Sequence, residues 1–139
     1  MPSAPAITEL LAGMARDGLA SVFLSITTFD PVLKRRLEPR SASSPARLAA
    51  MRALADAGIP VGVMAAPMIP AVNDAELEEI LERSQQAGAS RAGYTLLRLP
   101  HEVKDLFREW LQQHLPDRAQ HVMSLIQGAR GGGDNDPEF

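Results

Sequence analysis

The chain has 139 residues, a net charge of −3 and no cysteine, with 45% apolar but only 4% aromatic residues. This is one domain's worth of chain, whose core must be built from Leu, Val, Ile, Ala and Met. The charge balance makes no electrostatic case for nucleic acid, and the missing thiols exclude disulfides, Cys-ligated zinc and any iron–sulfur cluster held by cysteines of these residues. Lys34-Arg35-Arg36 is the one basic cluster and reads as a solvated loop. No stretch resembles a signal peptide or a bilayer span, so a cytoplasmic location is expected.

Residues 1–5 read as a short disordered start. From Ala6 to Arg16, Ile7, Leu10, Leu11 and Met14 recur at helical spacing, and Asp17-Gly18 ends the run. Residues 20–26 form the next element, a strand with Val22, Leu24 and Ile26 on one face and Phe23 and Ser25 on the other. Residues 27–43 read as a long loop carrying Thr27, Thr28, Asp30, Glu38, Pro39 and Arg40. Ser43-Ser44-Pro45 then opens a helix, a serine cap with proline at the first helical position, where its missing N–H costs nothing. That helix runs to about Ala57, burying Leu48, Met51, Leu54 and Ala55.

The stretch from Gly58 to Asp74 organises the rest of the chain. Gly58 suits the left-handed residue past a helix end, and Val61 to Ala65 is apolar on both faces, as in a covered parallel strand. Pro67 and Pro70 cannot donate to a ladder, so the strand should stop near Ala66. Asn73 and Glu76 form a capping-box-like pattern for a helix over about 74–86 that buries Leu77, Ile80 and Leu81. A third strand is expected at 91–97. A helix carrying Val103, Leu106, Phe107, Trp110 and Leu111 at nearly ideal amphipathic spacing comes next, then another from Pro116-Asp117 with Val122, Leu125 and Ile126 inward. Residues 129–139 turn to glycine and acid and read as a disordered tail.

The unit helix, glycine, strand, loop occurs three times, which implies three parallel strands joined by right-handed helical crossovers. A small open α/β domain and a piece of a (β/α) barrel both satisfy that order.

Three motifs resemble one family. They are Leu24-Ser25-Ile26-Thr27-Thr28 with Leu37-Glu38-Pro39-Arg40; Ser44-Pro45-Ala46-Arg47-Leu48 leading into Leu54 to Val61; and Ala66-Pro67-Met68-Ile69-Pro70 with Asn73-Asp74. Gly93-Tyr94 through Leu99-Pro100-His101-Glu102-Val103 continues the likeness. In that order and spacing they resemble the later part of a radical S-adenosylmethionine (SAM) enzyme, and most closely the spore-photolyase-like, DNA repair photolyase-like branch. The resemblance implies a half TIM-type barrel over residues 1–128, with strands at about 20–26, 61–66 and 91–97, flanking helices and two carboxyl-terminal helices. In the family, a CxxxCxxC loop after the first strand holds a 4Fe–4S cluster that reductively cleaves SAM. This sequence contains no such loop.

Carried onto these residues, the resemblance implies SAM contacts from Ser25, Glu38, Arg47 and Arg98, with no catalytic residue and no metal ligand of this chain's own. Each also has a plainer reading. Ser25 can be a small hydroxyl bonded to backbone, and Glu38 can pair with Arg40 or Arg47. Arg47 sits where the helix dipole disfavours a cation and so needs a partner, either a SAM carboxylate or Glu38. Pro67 shapes a loop, Asn73 and Asp74 cap a helix, and His101 is a helix-start residue. The expected function is the carboxyl-terminal portion of a radical SAM enzyme, inactive alone, with nucleic acid as a substrate class by resemblance only. A half-barrel assembly module that pairs with a partner chain or self-associates is the alternative, and a small unrelated α/β enzyme using Glu38, Arg47 and His101 is a weaker third. No membrane contact is expected.

Overall fold

The computed structural model describes residues 4–129. Along them run α1 (Ala4–Arg16), β1 (Val22–Ile26), α2 (Pro31–Leu37), α3 (Ser44–Asp56), β2 (Val61–Met68), α4 (Leu77–Gln86), β3 (Arg91–Leu96), α5 (His101–His114) and α6 (Ala119–Ala129). A 3-10 turn at Asp74–Glu76 precedes α4. The strands form one parallel sheet in the order β1-β2-β3, as the repeat implies. The start expected at 1–5 and the tail at 129–139 fall outside the described residues, except that Ala4 and Pro5 open α1 and Ala129 closes α6.

Each helix that leads into a strand ends the same way. Gly58 has φ 82°, and the next amide, Ile59 N, reaches back to Leu54 O at 3.1 Å. This is the six-to-one bond that satisfies a terminal carbonyl and that a left-handed glycine permits. Gly18 and Gly88 repeat it.

The register sets the two faces of the sheet. Val61, Val63 and Ala65 of β2 join Ile26, Met51 of α3 and Ile80 of α4 in one core. Val63 is therefore fully packed. The opposite face carries Phe23 and Ser25 of β1, paired with Gly62 and Met64 of β2. Phe23 is 46% exposed, and its ring lies so close over Gly62 that a Cβ there would meet it at 2.3 Å. Met64 covers Gly93 of β3 in the same manner. Large side chains on this face thus lean on glycines of the next strand.

Two expectations for the strand-end loops need correction. Residues 27–43 are not all loop, because α2 lies within them and takes in the basic cluster Lys34-Arg35-Arg36. Asp30 caps it, accepting from Val32 N at 2.9 Å and Leu33 N at 3.3 Å, with Pro31 in the first turn. That is the cap-then-proline signal that also opens α3, where Ser43 accepts from Ala46 N. Nor does β2 stop at Ala66; it runs through Pro67 to Met68. The pairing shifts register between Ala65↔Tyr94 and Met68↔Leu96, so Ala66 and Pro67 together oppose Thr95. In such a bulge the missing proline N–H breaks no ladder bond.

A second core sits beyond the carboxyl ends of the strands. Ile69, Leu99, Leu111, Val122 and Ile126 pack there with Leu37 of α2 and Val72, so the α5–α6 hairpin is seated on the loops after β1 and β2. Leu106 of α5 is 63% exposed and Leu10 of α1 is 66% exposed. Leu81 and Leu125, expected inside, are exposed, and so are Val103, Ile7 and Met14.

Asn73 precedes the 3-10 turn at the cap position, but its side chain makes no capping bond. It is fully buried, its Oδ1 accepting from Ile69 N at 2.6 Å and its Nδ2 donating to Thr27 O at 2.8 Å and Pro67 O at 3.0 Å. Nor does Glu76 reach back to Asn73; its carboxylate accepts from Thr28 Oγ1 and from Phe29 N at 2.9 Å. Asn73→Ala strands one amide and two carbonyls out of water. It should lower the free energy of unfolding by about 2–4 kcal/mol in urea titration. Asn73→Asp should be no milder, because it turns a carboxylate oxygen toward two carbonyls.

Candidate functional site

Parallel strands all deliver their carboxyl ends to one side, and in α/β folds that side gathers the chemistry. Here it comprises Thr27 and Thr28 after β1, Glu38 after α2, Arg47 in the first turns of α3, residues 69–74 after β2, and Arg98 after β3.

Of the four expected contact residues, Arg47 and Glu38 are anchored by named partners, while Ser25 and Arg98 are exposed. Arg47 donates through Nη1 to the backbone carbonyl of Ser25. That resolves its unfavourable place at a helix amino end, since the strand's carboxyl-end carbonyl supplies the negative partner. Neither Glu38 nor any other carboxylate among the described residues pairs with it. Glu38 pairs with neither Arg40 nor Arg47. Its Oε2 lies 3.0 Å from Lys34 Nζ and 3.3 Å from the Thr27 hydroxyl. The same hydroxyl stands 3.1 Å from Ala66 O and donates to one acceptor at a time. Lys34, itself buried, also donates to Ser41 Oγ. The Ser25 hydroxyl makes no hydrogen bond among the described residues. Pro67 lies within β2 on the same side, with its carbonyl held by Asn73. Arg40 is exposed and His101 opens α5.

Sequence reasoning missed Lys34, because a residue inside an assumed loop has no i,i+4 neighbour. Reading Asp30-Pro31 as a helix start places Lys34 one turn before Glu38. It also missed the polar lattice around Thr28, whose hydroxyl bonds Glu76 and whose carbonyl accepts from the buried Ser44 hydroxyl at 2.6 Å. A Thr-Thr pair directly after a strand was the available signal.

Beside Glu38 a cleft of about 390 Å³ opens between α2 and the start of α3, lined by Phe29, Lys34, Pro39 and Pro45 among others. Ser25, Arg47 and Arg98 do not line it. No three His, Cys, Asp or Glu side chains among the described residues are placed to hold a metal ion. No described helix is long and apolar enough to cross a membrane.

Among the described residues, the fold is of α/β class, a three-stranded parallel layer open at both edges and flanked by helices, as a partial (β/α) barrel also has. The chain matches the radical SAM superfamily over residues 2–84 and belongs to it. Proteins described as uncharacterized from two strains of Mycobacterium tuberculosis and from Mycobacterium bovis are each 32% identical to it over 120 residues, covering 85% of this chain and 35% of theirs. The chain therefore spans about a third of the length of the curated relatives it matches. No solved structure matches it.

Complete members of the superfamily work with SAM and a 4Fe–4S cluster. The cluster does not fit this chain, which has no thiol to ligate iron.

Breaking one half of the Lys34–Glu38 pair leaves an almost buried ammonium uncompensated. Glu38→Gln should therefore cost about 1–2 kcal/mol, less than a fully buried pair because the carboxylate stays partly wet. The Lys34→Met/Glu38→Gln double variant should recover part of that loss in denaturant titration.

Proposed function

We propose that this chain forms the carboxyl-terminal strand layer of a radical SAM enzyme of the spore-photolyase-like, DNA repair photolyase-like branch. It provides one wall of the SAM site, while cysteines outside these 139 residues hold the cluster. The observation that supports this best is the sheet itself. Its β1 edge is unpaired among the described residues, and the face bearing Phe23 and Ser25 is exposed, as suits the inward face of a barrel continued by further strands.

The donor set at the rim suits an amino-acid zwitterion with a ribose attached. Arg47 spends one of its five N–H groups on Ser25 O and keeps the rest for a carboxylate. Glu38 uses only Oε2 internally, leaving Oε1 for an ammonium group. The Ser25 hydroxyl suits a ribose hydroxyl, and Arg98 lies past the end of β3, where adenine or substrate would rest. Bound with its cluster, SAM supplies carbon-radical chemistry. This chain's residues bind and orient it. Nucleic acid as the substrate follows from the branch alone.

A second reading, a non-catalytic half-barrel that pairs with a partner chain, is favoured by the apolar residues left exposed on α1 and by the open β1 edge. Both readings predict association. The purified chain should be oligomeric or polydisperse by light scattering, and a monodisperse monomer with cooperative unfolding would count against an open edge.

The readings separate on activity. Anaerobic reconstitution of this chain with iron and sulfide, followed by SAM and dithionite, should give no 5′-deoxyadenosine by chromatography. A protein spanning the full length of the mycobacterial relatives should give it, and Arg47→Met or Glu38→Gln in that protein should raise the KM for SAM. Product from this chain alone would overturn the proposal, and silence from the longer protein would favour the assembly module.

A further inference from the structure

We propose that the cleft between α2 and the α5–α6 turn is a phosphate-type oxyanion site built by Arg36 and Arg118. This does not depend on the SAM reading. The cleft has a volume of about 320 Å³, and both arginines, His114 and Asp117 line it.

Both guanidiniums are held in place by backbone. Arg36 Nη1 donates to His114 O at 3.0 Å, and Arg118 Nη1 donates to Ala71 O at 3.3 Å. The Ala71 carbonyl is itself set by a left-handed residue, φ 61°, whose N–H is held by Asp74 Oδ1 at 3.1 Å. A guanidinium carries five N–H donors in a rigid fork, so each arginine keeps four after its structural bond. Neither is neutralised by a carboxylate among the described residues; Glu38 pairs with Lys34, Asp56 with Arg52 and Glu79 with Arg83. Asp30, also on the cleft wall, has its Oδ1 committed to the first amides of α2. Asp117 is the one uncommitted carboxylate lining the cleft, and it opposes an anion.

Two guanidiniums, each tied to a backbone carbonyl, without carboxylate partners and lining one cleft, match a tetrahedral oxyanion, whose several oxygens can be shared between two forks. The ligand is a phosphate group, either free or on a nucleic-acid backbone.

The molecule contains its own reporter. Trp110 is its one tryptophan; its Nε1 donates to Arg36 O at 3.3 Å, and its ring centroid lies 5.0 Å from that of His114. The full chain is titrated at constant ionic strength with inorganic phosphate and, separately, with a short single-stranded DNA oligonucleotide, following Trp110 fluorescence. A saturable change is expected with at least one probe. It should weaken about tenfold in Arg36→Gln and in Arg118→Gln, from loss of one charged hydrogen-bonding group. It should tighten about threefold in Asp117→Asn, which removes an opposing charge. Tighter binding of the oligonucleotide assigns a nucleic-acid backbone, and binding of phosphate alone assigns a free phosphate group. No saturable change with either probe overturns the site, as does equal affinity in wild type, Arg118→Gln and Asp117→Asn. Asp117 makes no hydrogen bond or ion pair among the described residues. Its variant should therefore fold even if the arginine variants do not, and an unchanged affinity in Asp117→Asn alone then overturns the proposal.

Discussion

One buried carboxamide holds the carboxyl-end architecture together. Asn73 binds the backbone after β1 through Thr27 O and the end of β2 through Pro67 O and Ile69 N. Parallel strands are joined only by distant crossovers, so nothing in the chain's connectivity fixes how two neighbouring strand-end loops lie against each other. A side chain with one acceptor and two donor hydrogens can fix them, and an isosteric Asp or Leu cannot satisfy the same three groups. Glu76 repeats the device one step outward, binding Thr28 and Phe29. Thr28 O is in turn capped by Ser44, so the start of α3 is tied to the same point.

Because those loops are held, a second core can be built on them. The α5–α6 hairpin packs on Ile69, Val72 and Leu37 and is fastened by three polar ties: Trp110 to Arg36 O, Arg36 to His114 O, and Arg118 to Ala71 O. Each tie uses a backbone carbonyl that a helix end or a turn leaves without a partner. The strands thus have one core on their helix-covered face and another across their carboxyl ends. On the face carrying Phe23 and Ser25, both of these side chains are exposed among the described residues.

That asymmetry bears on chemistry. The exposed Ser25 hydroxyl lies on the open face, and the carbonyl of the same residue holds Arg47. Glu38 stands behind Thr27, held by Lys34. On the proposed reading, this cysteine-free chain of the radical SAM superfamily offers binding and orientation from such a rim, while other residues supply the iron ligands. The division comes from donor chemistry, since guanidinium, carboxylate and hydroxyl suit the polar parts of SAM while cluster iron needs thiolate.

Local signals settled the order of elements. The three helix-glycine-strand units, their parallel direction and the strand near 61–66 come from spacing and from glycines that only a left-handed turn explains, and the resemblance to the family rests on short ordered motifs. The helix at Pro31–Leu37 is equally local, announced by Asp30-Pro31, and escapes a reading that takes the family-like motif around it as loop. Other features belong to the tertiary structure alone. Pro67 can sit inside β2 because the partner strand shifts register opposite it, which no property of residue 67 reveals. Asn73 looks like a cap in sequence because Asn before Asp and Glu is a cap pattern; burial under the loop from β1 gives it different partners. Leu106 and Leu10 fit amphipathic stripes yet face solvent, because periodicity says which residues share a face and only packing decides whether anything covers it. The partners of Arg47 and Glu38 were decided in the same way: charge in the sequence called for a counterpart, and the fold supplied a strand-end carbonyl for one and a buried lysine for the other.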